Sequence, residues 1–253
     1  MTQPFKNRLH SGQPLLGTML TLSNPAVAEI LVDSGFDWLF VDGEHGALET
    51  REILTILQTV GDKIPCLVRV PGLAEVPIKK VLDLGAAGII VPQVNTAEEA
   101  AKVVQFAKYA PEGSRGVGLA RAHGYGARFH DYIQSANRDI TVVVQAEHID
   151  AVSNIESIVG VPGVDAVFLG PYDLSASMGK MGQVEDPAVL EAIDRITSHC
   201  QSVGMPLGYF GVSAQAVQPY MQRGYSLIVA GVDTLFLRSA AMQTLKQLSH
   251  PAA

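Results

Sequence analysis

Cysteine is nearly absent. The two residues present, Cys66 and Cys200, are too few and too far apart for a disulfide framework, and no Cys-x-x-Cys pair offers zinc or redox chemistry. A reducing, cytoplasmic setting is the expectation. Apolar runs are short: none approaches the roughly 18 residues needed to cross a bilayer. The first seventeen residues carry Lys6, Arg8 and His10 with no apolar stretch behind them, unlike a secretory signal. Basic clusters stop at Lys79-Lys80 in a chain of formal charge −7, which argues against nucleic-acid and anionic-membrane surfaces. Small molecules and further copies of the chain are the expected partners. No Gly-x-Ser-x-Gly elbow occurs. The glycine cluster Gly113-Ser-Arg-Gly116-Val-Gly118 follows no strand, so it is neither a dinucleotide fingerprint nor a phosphate loop. None of the eight lysines falls in an apolar run, where a desolvated Schiff-base amine would sit.

What is present is a regular alternation. Short Val/Ile/Leu/Phe runs of the kind buried on both faces of a parallel sheet occur at 15–20, 38–42, 66–70, 88–92, 141–146, 166–170, 206–210 and 227–232. Amphipathic stretches separate them at 25–34, 50–61, 76–85, 97–110, 151–159, 187–203 and 214–223, and 234–248 closes the chain. Eight strand-helix units over 253 residues predict a single-domain (β/α)8 TIM barrel spanning 1–253. Gly35, Gly85, Gly204 and Gly224 supply helix stops. The one long irregular connection, 111–138, reads as an active-site rim or a subunit contact with a short helix near 130–136.

Barrel chemistry belongs at strand C-termini, and the polar residues concentrate there. Asp42-Gly-Glu-His45 follows the second run, Arg69 sits in the third, Gln145 and Glu147 end the fifth, and Gly170-Pro-Tyr-Asp173 follows the sixth. Glu147 and Asp173 either share one divalent cation, with hard oxygen donors favouring Mg²⁺ or Mn²⁺ and allowing Co²⁺, or cap the following helices. Arg69 is costly to bury unpaired, so it holds either an anionic substrate or a structural salt bridge. Asp42, three residues from His45, could orient the imidazole for proton transfer. Gly208, Gly211 and Gly231 could expose backbone N–H groups to a phosphate.

Taken together, these segments resemble the metal-dependent, class II pyruvate aldolases of the 4-hydroxy-2-oxoheptanedioate and 2-keto-3-deoxy-sugar-acid type. The resemblance runs from Gly35-Phe-Asp-Trp-Leu-Phe-Val-Asp-Gly-Glu-His45 through Leu-Val-Arg69, Ile89-Ile-Val-Pro92, Arg115-Gly-Val-Gly118 and Gln145-x-Glu147 to Phe168-Leu-Gly-Pro-x-Asp-Leu-Ser175. It implies a phosphoenolpyruvate/pyruvate-type barrel that reversibly cleaves a 4-hydroxy-2-oxo acid to pyruvate and an aldehyde through a metal-stabilised enolate. Glu147 and Asp173 become metal ligands, Arg69 and Gln145 contact pyruvate, and His45 with Asp42 moves the proton. Backbone N–H groups around the Gly170-Pro171-Tyr172-Asp173 segment receive the carboxylate. The resemblance also implies a homohexamer with an exchanged C-terminal helix, and Asp83 and Arg121 reaching the acceptor aldehyde from an adjacent subunit. Tyr172 and Phe210 depart from common family patterns at positions that bear on acceptor choice. Two other readings stand beside this one: a citrate- or malyl-thioester-type lyase, which requires coenzyme A binding, and a barrel retired to a binding role.

Overall fold

Side chains alternate along a strand with a period of two, and in a closed barrel that period separates an inner filling from an outer helix-facing layer. The computed structural model describes residues 4–249. Its eight parallel strands close in sequence order: β1 Leu15–Leu20, β2 Trp38–Asp42, β3 Cys66–Arg69, β4 Gly88–Val91, β5 Thr141–Ala146, β6 Ala166–Leu169, β7 Leu207–Gly211 and β8 Leu227–Val232. Each strand lies within one residue of its apolar run. Leu39, Val41, Val68 and Val144 face outward into the large core shared with the helices. Trp38, Phe40, Leu67, Val143 and Phe168 fill the barrel.

The helices are α1 Phe5–Leu9, α2 Pro25–Asp33, α3 Thr50–Val60, α4 Glu75–Asp83, α5 Ala97–Ala107, α6 Phe129–Asp139, α7 Ile149–Ser153, α8 Ile155–Val159, α9 Pro171–Ser177, α10 Pro187–Ser202, α11 Ala214–Gln222 and α12 Asp233–Ser249. Two were not expected. Helix α1 carries Phe5 and Leu9 into the inner core, plugging the barrel's N-terminal end, and α9 opens on Pro171 at its first position, where the missing N–H costs nothing. The stretch expected as one helix over 151–159 divides at Asn154, whose amide donates to Asn95 O at 2.9 Å.

From the plug upward, Phe5, Trp38, Phe40 and Phe168 form an aromatic column with successive centroids 5.9, 6.2 and 5.7 Å apart. Gly208 makes room for it: a Cβ there would lie 2.3 Å from the Phe168 ring. The glycine-rich connection is pinned by Arg115, whose buried guanidinium lies over the Tyr109 ring and donates to Asp83 at 2.6 Å. The outer end of the chain is different. Beyond Asp233 every residue of α12 is exposed, Leu237, Met242, Leu245 and Leu248 among them. Among the described residues, no helix is long and apolar enough to cross a membrane.

Lys108, 1 % exposed, donates through Nζ to the carbonyls of Asn137 and Ile140 at the C-terminal end of α6, where a cation meets the negative end of the helix dipole. Burial, with Lys6 nearby, lowers its pKa from 10.5 to about 8. The folded chain therefore binds fewer protons than the unfolded chain between these values, and the contribution of this group to stability rises with pH across that window. Relative to Lys108→Met, the wild type should gain up to about 3 kcal/mol between pH 8 and 10.5, read from urea unfolding at fixed protein concentration.

Candidate active site

Register builds the mouth. Asp42 and Arg69 are paired positions on neighbouring strands, and both continue the inward-facing rows of Trp38-Phe40 and Leu67. Arg69 forms a two-pronged pair with Asp42, Nε to Oδ1 at 2.9 Å and Nη2 to Oδ2 at 2.8 Å. Its third nitrogen lies 3.2 Å from Glu44 Oε2, and its guanidinium carbon sits 5.2 Å from the Phe40 centroid. Burial would raise the Asp42 carboxyl, but the Arg69 hydrogen bond and charge, with the backbone N–H groups of His45 and Glu44, hold it below its usual value. Arg69 therefore has its structural salt bridge, and the pair fixes the guanidinium at the mouth.

On the far side, β5 presents Gln145, and Glu147 follows immediately, 2 % exposed. Glu147 Oε2 accepts from Gln145 Nε2. Its Oε1 accepts from the Gln93 backbone N–H at 2.9 Å. Burial first, with Asp173 and Glu44 adding negative charge, raises its pKa to about 7. Asp173 stands exposed in the first turn of α9. Gln93, just past β4, is an exposed non-glycine residue at φ 54°, a left-handed conformation that costs about 1–2 kcal/mol. Gly170 is required by contact: a Cβ there would lie 2.6 Å from Glu147 Oε2 and 2.8 Å from Glu147 Cβ, both backed by the β5 strand. Gly170→Ala should thus displace the Glu147 carboxylate and cost at least tenfold in activity with Tm changed by only a few degrees, measured by steady-state turnover beside thermal unfolding.

The mouth opens on a cavity of about 280 Å³, lined by His45, Arg69, Gln145 and Asp173 with Met19, Phe40, Phe168, Tyr172 and Phe210. Arg69 is the one lysine or arginine lining it among the described residues. No cluster of three or more His, Cys, Asp or Glu forms a closed metal cage among the described residues. A hard divalent cation nonetheless fits this donor set. Glu147 is a buried carboxylate that feels the negative charge of Asp173 and Glu44, and among the described residues it has no cation partner and Gln145 Oε1 is buried with no hydrogen-bond partner. Two carboxylates with open positions suit Mg²⁺ or Mn²⁺ better than a dedicated protein cage.

The structure gathers Asp42, His45, Arg69, Gln145, Glu147, Gly170, Pro171, Tyr172, Asp173 and Phe210 around one mouth. One expectation needs correction. Asp42 does not orient the His45 imidazole: its oxygens are taken by Arg69 and by the His45 and Glu44 backbone N–H groups. The group beside the imidazole is Glu44, with Oε2 3.7 Å from Nε2. Its carboxyl is raised by burial, with Arg69 opposing and Asp42 and Asp173 adding to the rise. Asp83 and Arg121, expected to serve an adjacent subunit's mouth, lie away from the mouth of their own barrel. Asp83, at the lower end of α4, is held by Arg115, and Arg121 spends its guanidinium on Leu84 O and Leu57 O at 2.7 and 2.9 Å, the carbonyls ending α4 and α3. Sequence reading missed Glu44, although it lies between two chosen residues, and Gln93, whose backbone N–H carries no residue-type signal.

Fold and site define a (β/α)8 barrel with its candidate site at the strand C-termini. The family model described as HpcH/HpaI aldolase/citrate lyase matches residues 16–240, and the chain belongs to that family. It is 40% identical over 235 residues to 4-hydroxy-2-oxovalerate aldolase of Rhodococcus jostii (strain RHA1), covering 92% of this chain and 91% of that one. It is 40% identical over 244 residues to 4-hydroxy-2-oxo-heptane-1,7-dioate aldolase of Shigella flexneri, covering 95% and 91%. Among solved structures, an HpcH/HpaI aldolase/citrate lyase family protein from Burkholderia cenocepacia J2315 superposes with a TM-score of 0.93 at 34% identity, covering 97% and 98%.

Proposed function

We propose that this chain is a divalent-metal-dependent carbon–carbon lyase that reversibly cleaves a 4-hydroxy-2-oxo acid to pyruvate, or a related 2-oxo acid, and an aldehyde. The observation that carries this reading is the mouth itself: the in-register Asp42–Arg69 pair shares the cavity with Asp173 and with Gln145, which holds Glu147, and no lysine lines it among the described residues. Glu147 and Asp173 would hold Mg²⁺ or Mn²⁺, with Co²⁺ also compatible. When bound, the cation supplies Lewis acidity that acidifies protons next to the 2-oxo group.

The remaining steps belong to the chain's own side chains. Arg69, fixed by Asp42, places its outward N–H groups where negative charge develops on the 2-oxo oxygen, the position at which preorganised charge lowers a barrier most. Gln145 orients the 2-oxo acid, and the first-turn N–H groups of Tyr172 and Asp173, which have no intrahelical acceptor, receive its carboxylate. His45, with Glu44 beside Nε2, takes the proton of the C4 hydroxyl. As the C3–C4 bond breaks, its electron pair passes toward the 2-oxo group, and C3 later takes a proton to become the methyl of pyruvate. Tyr172 and Phe210 border the aldehyde side.

A thioester lyase would need cations for the coenzyme A phosphates. Arg69 is committed to Asp42 and Glu44, and no second cation lines the mouth among the described residues.

The assembly we propose is a homohexamer built by exchange of α12. An apolar groove of about 500 Å³ between Val27, Ile30, Leu31, Phe36 and the start of α12 lies open on the barrel flank, while α12 leaves its own apolar residues in solvent. A second copy's α12 satisfies both. In such an assembly Asp83 and Arg121 would act only toward a neighbour's mouth. Light scattering of the full chain tests the size.

The reaction is tested by proton NMR of deuterium exchange into the pyruvate methyl group without aldehyde. Exchange that depends on added Mn²⁺ or Mg²⁺ supports the reading. No exchange with any divalent metal, in folded protein, overturns it.

A further inference from the structure

We infer that Gln93 is a positioning residue, whose left-handed backbone aims its N–H at Glu147 and holds that carboxylate in the orientation that binds the cation. The inference rests on the reading of Glu147 as a metal ligand and adds a device that the reading does not contain.

Four observations support it. Gln93 has φ 54° although it is not glycine, and its side chain is exposed, so packing of the side chain does not explain the conformation. The buried, well-formed neighbours do fix the backbone: Pro92 and Val94 are buried on either side, and the Val94 N–H reaches Gln145 O at 3.4 Å. The strained peptide is thereby docked against the end of β5. Its N–H then meets Glu147 Oε1 at 2.9 Å. Glu147 has a second fixed contact, Gln145 Nε2 on Oε2, so the Gln93 N–H is what stops rotation of the carboxylate about that first anchor. Non-glycine residues held in this region concentrate where surrounding structure over-determines them for function.

The chemistry follows from competition between conformations. Glycine and asparagine enter the left-handed region readily, whereas β-branched residues resist it. A β-branched residue at 93 therefore turns the peptide toward an ordinary extended conformation and swings its N–H away from Glu147. The carboxylate loses its orientation while the barrel core is untouched.

The test uses the purified full chain and Mn²⁺ alone, with the free-ion signal followed by electron paramagnetic resonance and Tm measured on metal-free protein. Wild type, Gln93→Gly and Gln93→Asn should bind Mn²⁺ within about threefold of one another. Gln93→Val should bind at least tenfold more weakly, with metal-free Tm lower by no more than a few degrees, because leaving the left-handed region offsets only part of the lost Glu147 contact. A purely structural role would lower Tm and leave Mn²⁺ affinity unchanged. Equal Mn²⁺ affinity in Gln93→Val overturns the inference, and so does loss of affinity in Gln93→Gly, which keeps the backbone but removes the side chain. Should Gln93→Val not fold, Gln93→Thr makes the same comparison, and the glycine arm stands by itself. Glu147→Gln separates the two levels: if wild type and Glu147→Gln bind Mn²⁺ alike, the reading of the metal site fails, and this inference fails with it.

Discussion

Replacing Arg69 with alanine is expected to lower kcat/KM by about 10³-fold and to destabilise the fold by about 3–5 kcal/mol, or roughly 10 °C in Tm. Both effects follow from one geometry. The guanidinium is the sole cation lining the mouth among the described residues, so nothing substitutes for it where charge develops. It is also the two-pronged partner of Asp42, which is 2 % exposed, and removing it leaves a buried carboxylate without a counter-charge. The pH dependence separates the two effects. In the wild type the Asp42 carboxyl lies below its usual value, so its contribution to stability is present above the unfolded pKa and is lost as pH falls through the folded one. In Arg69→Ala, burial is opposed only by the His45 and Glu44 backbone N–H groups, and the carboxyl rises. The stability deficit is then full near neutrality and shrinks as pH falls toward about 4. Thermal unfolding from pH 7 to pH 4 should show the two curves converging, while turnover at pH 7 stays low. A deficit independent of pH would mean that lost packing on Phe40, rather than the unpaired Asp42, sets the stability cost. Arg69→Lys keeps the charge but not the fork, and should recover stability better than rate.

The barrel was legible because strands buried on both faces leave continuous apolar runs, and most of the eight end where a polar residue or glycine begins the mouth. Arg69 stood out for the same reason: a charge inside an apolar run has to be answered by another charge. What spacing could not supply was which partner answers it. Asp42 and His45 are neighbours in sequence, yet strand register turns the Asp42 side chain across to Arg69 and leaves Glu44 beside the imidazole. Asp83 and Arg121 were expected by resemblance to reach a neighbouring subunit's acceptor, and in their own barrel Asp83 ends α4 while the Arg121 guanidinium sits on the last carbonyls of α4 and α3, away from the mouth. Helix α9 was hidden by its brevity and its Gly-Pro opening, which reads as a turn. Gln93 had no signature at all, because its contribution is a peptide N–H made available by a backbone angle.

Glu147→Gln should abolish turnover, with kcat/KM down by about 10⁴-fold or more if the metal-supplied acidity is lost with the ligand. The same variant should be more stable than the wild type when both are metal-free. Burial and the neighbouring carboxylates raise the Glu147 pKa from 4.5 to about 7, so the folded chain holds a proton there that the unfolded chain has released. Metal-free stability from this group is therefore full below pH 4.5 and falls as pH rises through 7. Above pH 7 the ionised carboxylate costs up to about 3 kcal/mol, and an uncharged glutamine does not carry that cost. Its hydrogen bonds can be kept: Oε1 accepts from Gln93 N–H, and a flipped Gln145 offers the oxygen that is unpartnered in the wild type. Addition of Mn²⁺ should invert the order, because a cation bound to the folded state stabilises the wild type by mass action and has no purchase on the variant. Thermal unfolding at pH 8 in chelator and then in excess Mn²⁺ reads both halves. If the wild type is the more stable in chelator, the buried charge is compensated by the protein alone, and the carboxylates at this mouth are not poised for a metal.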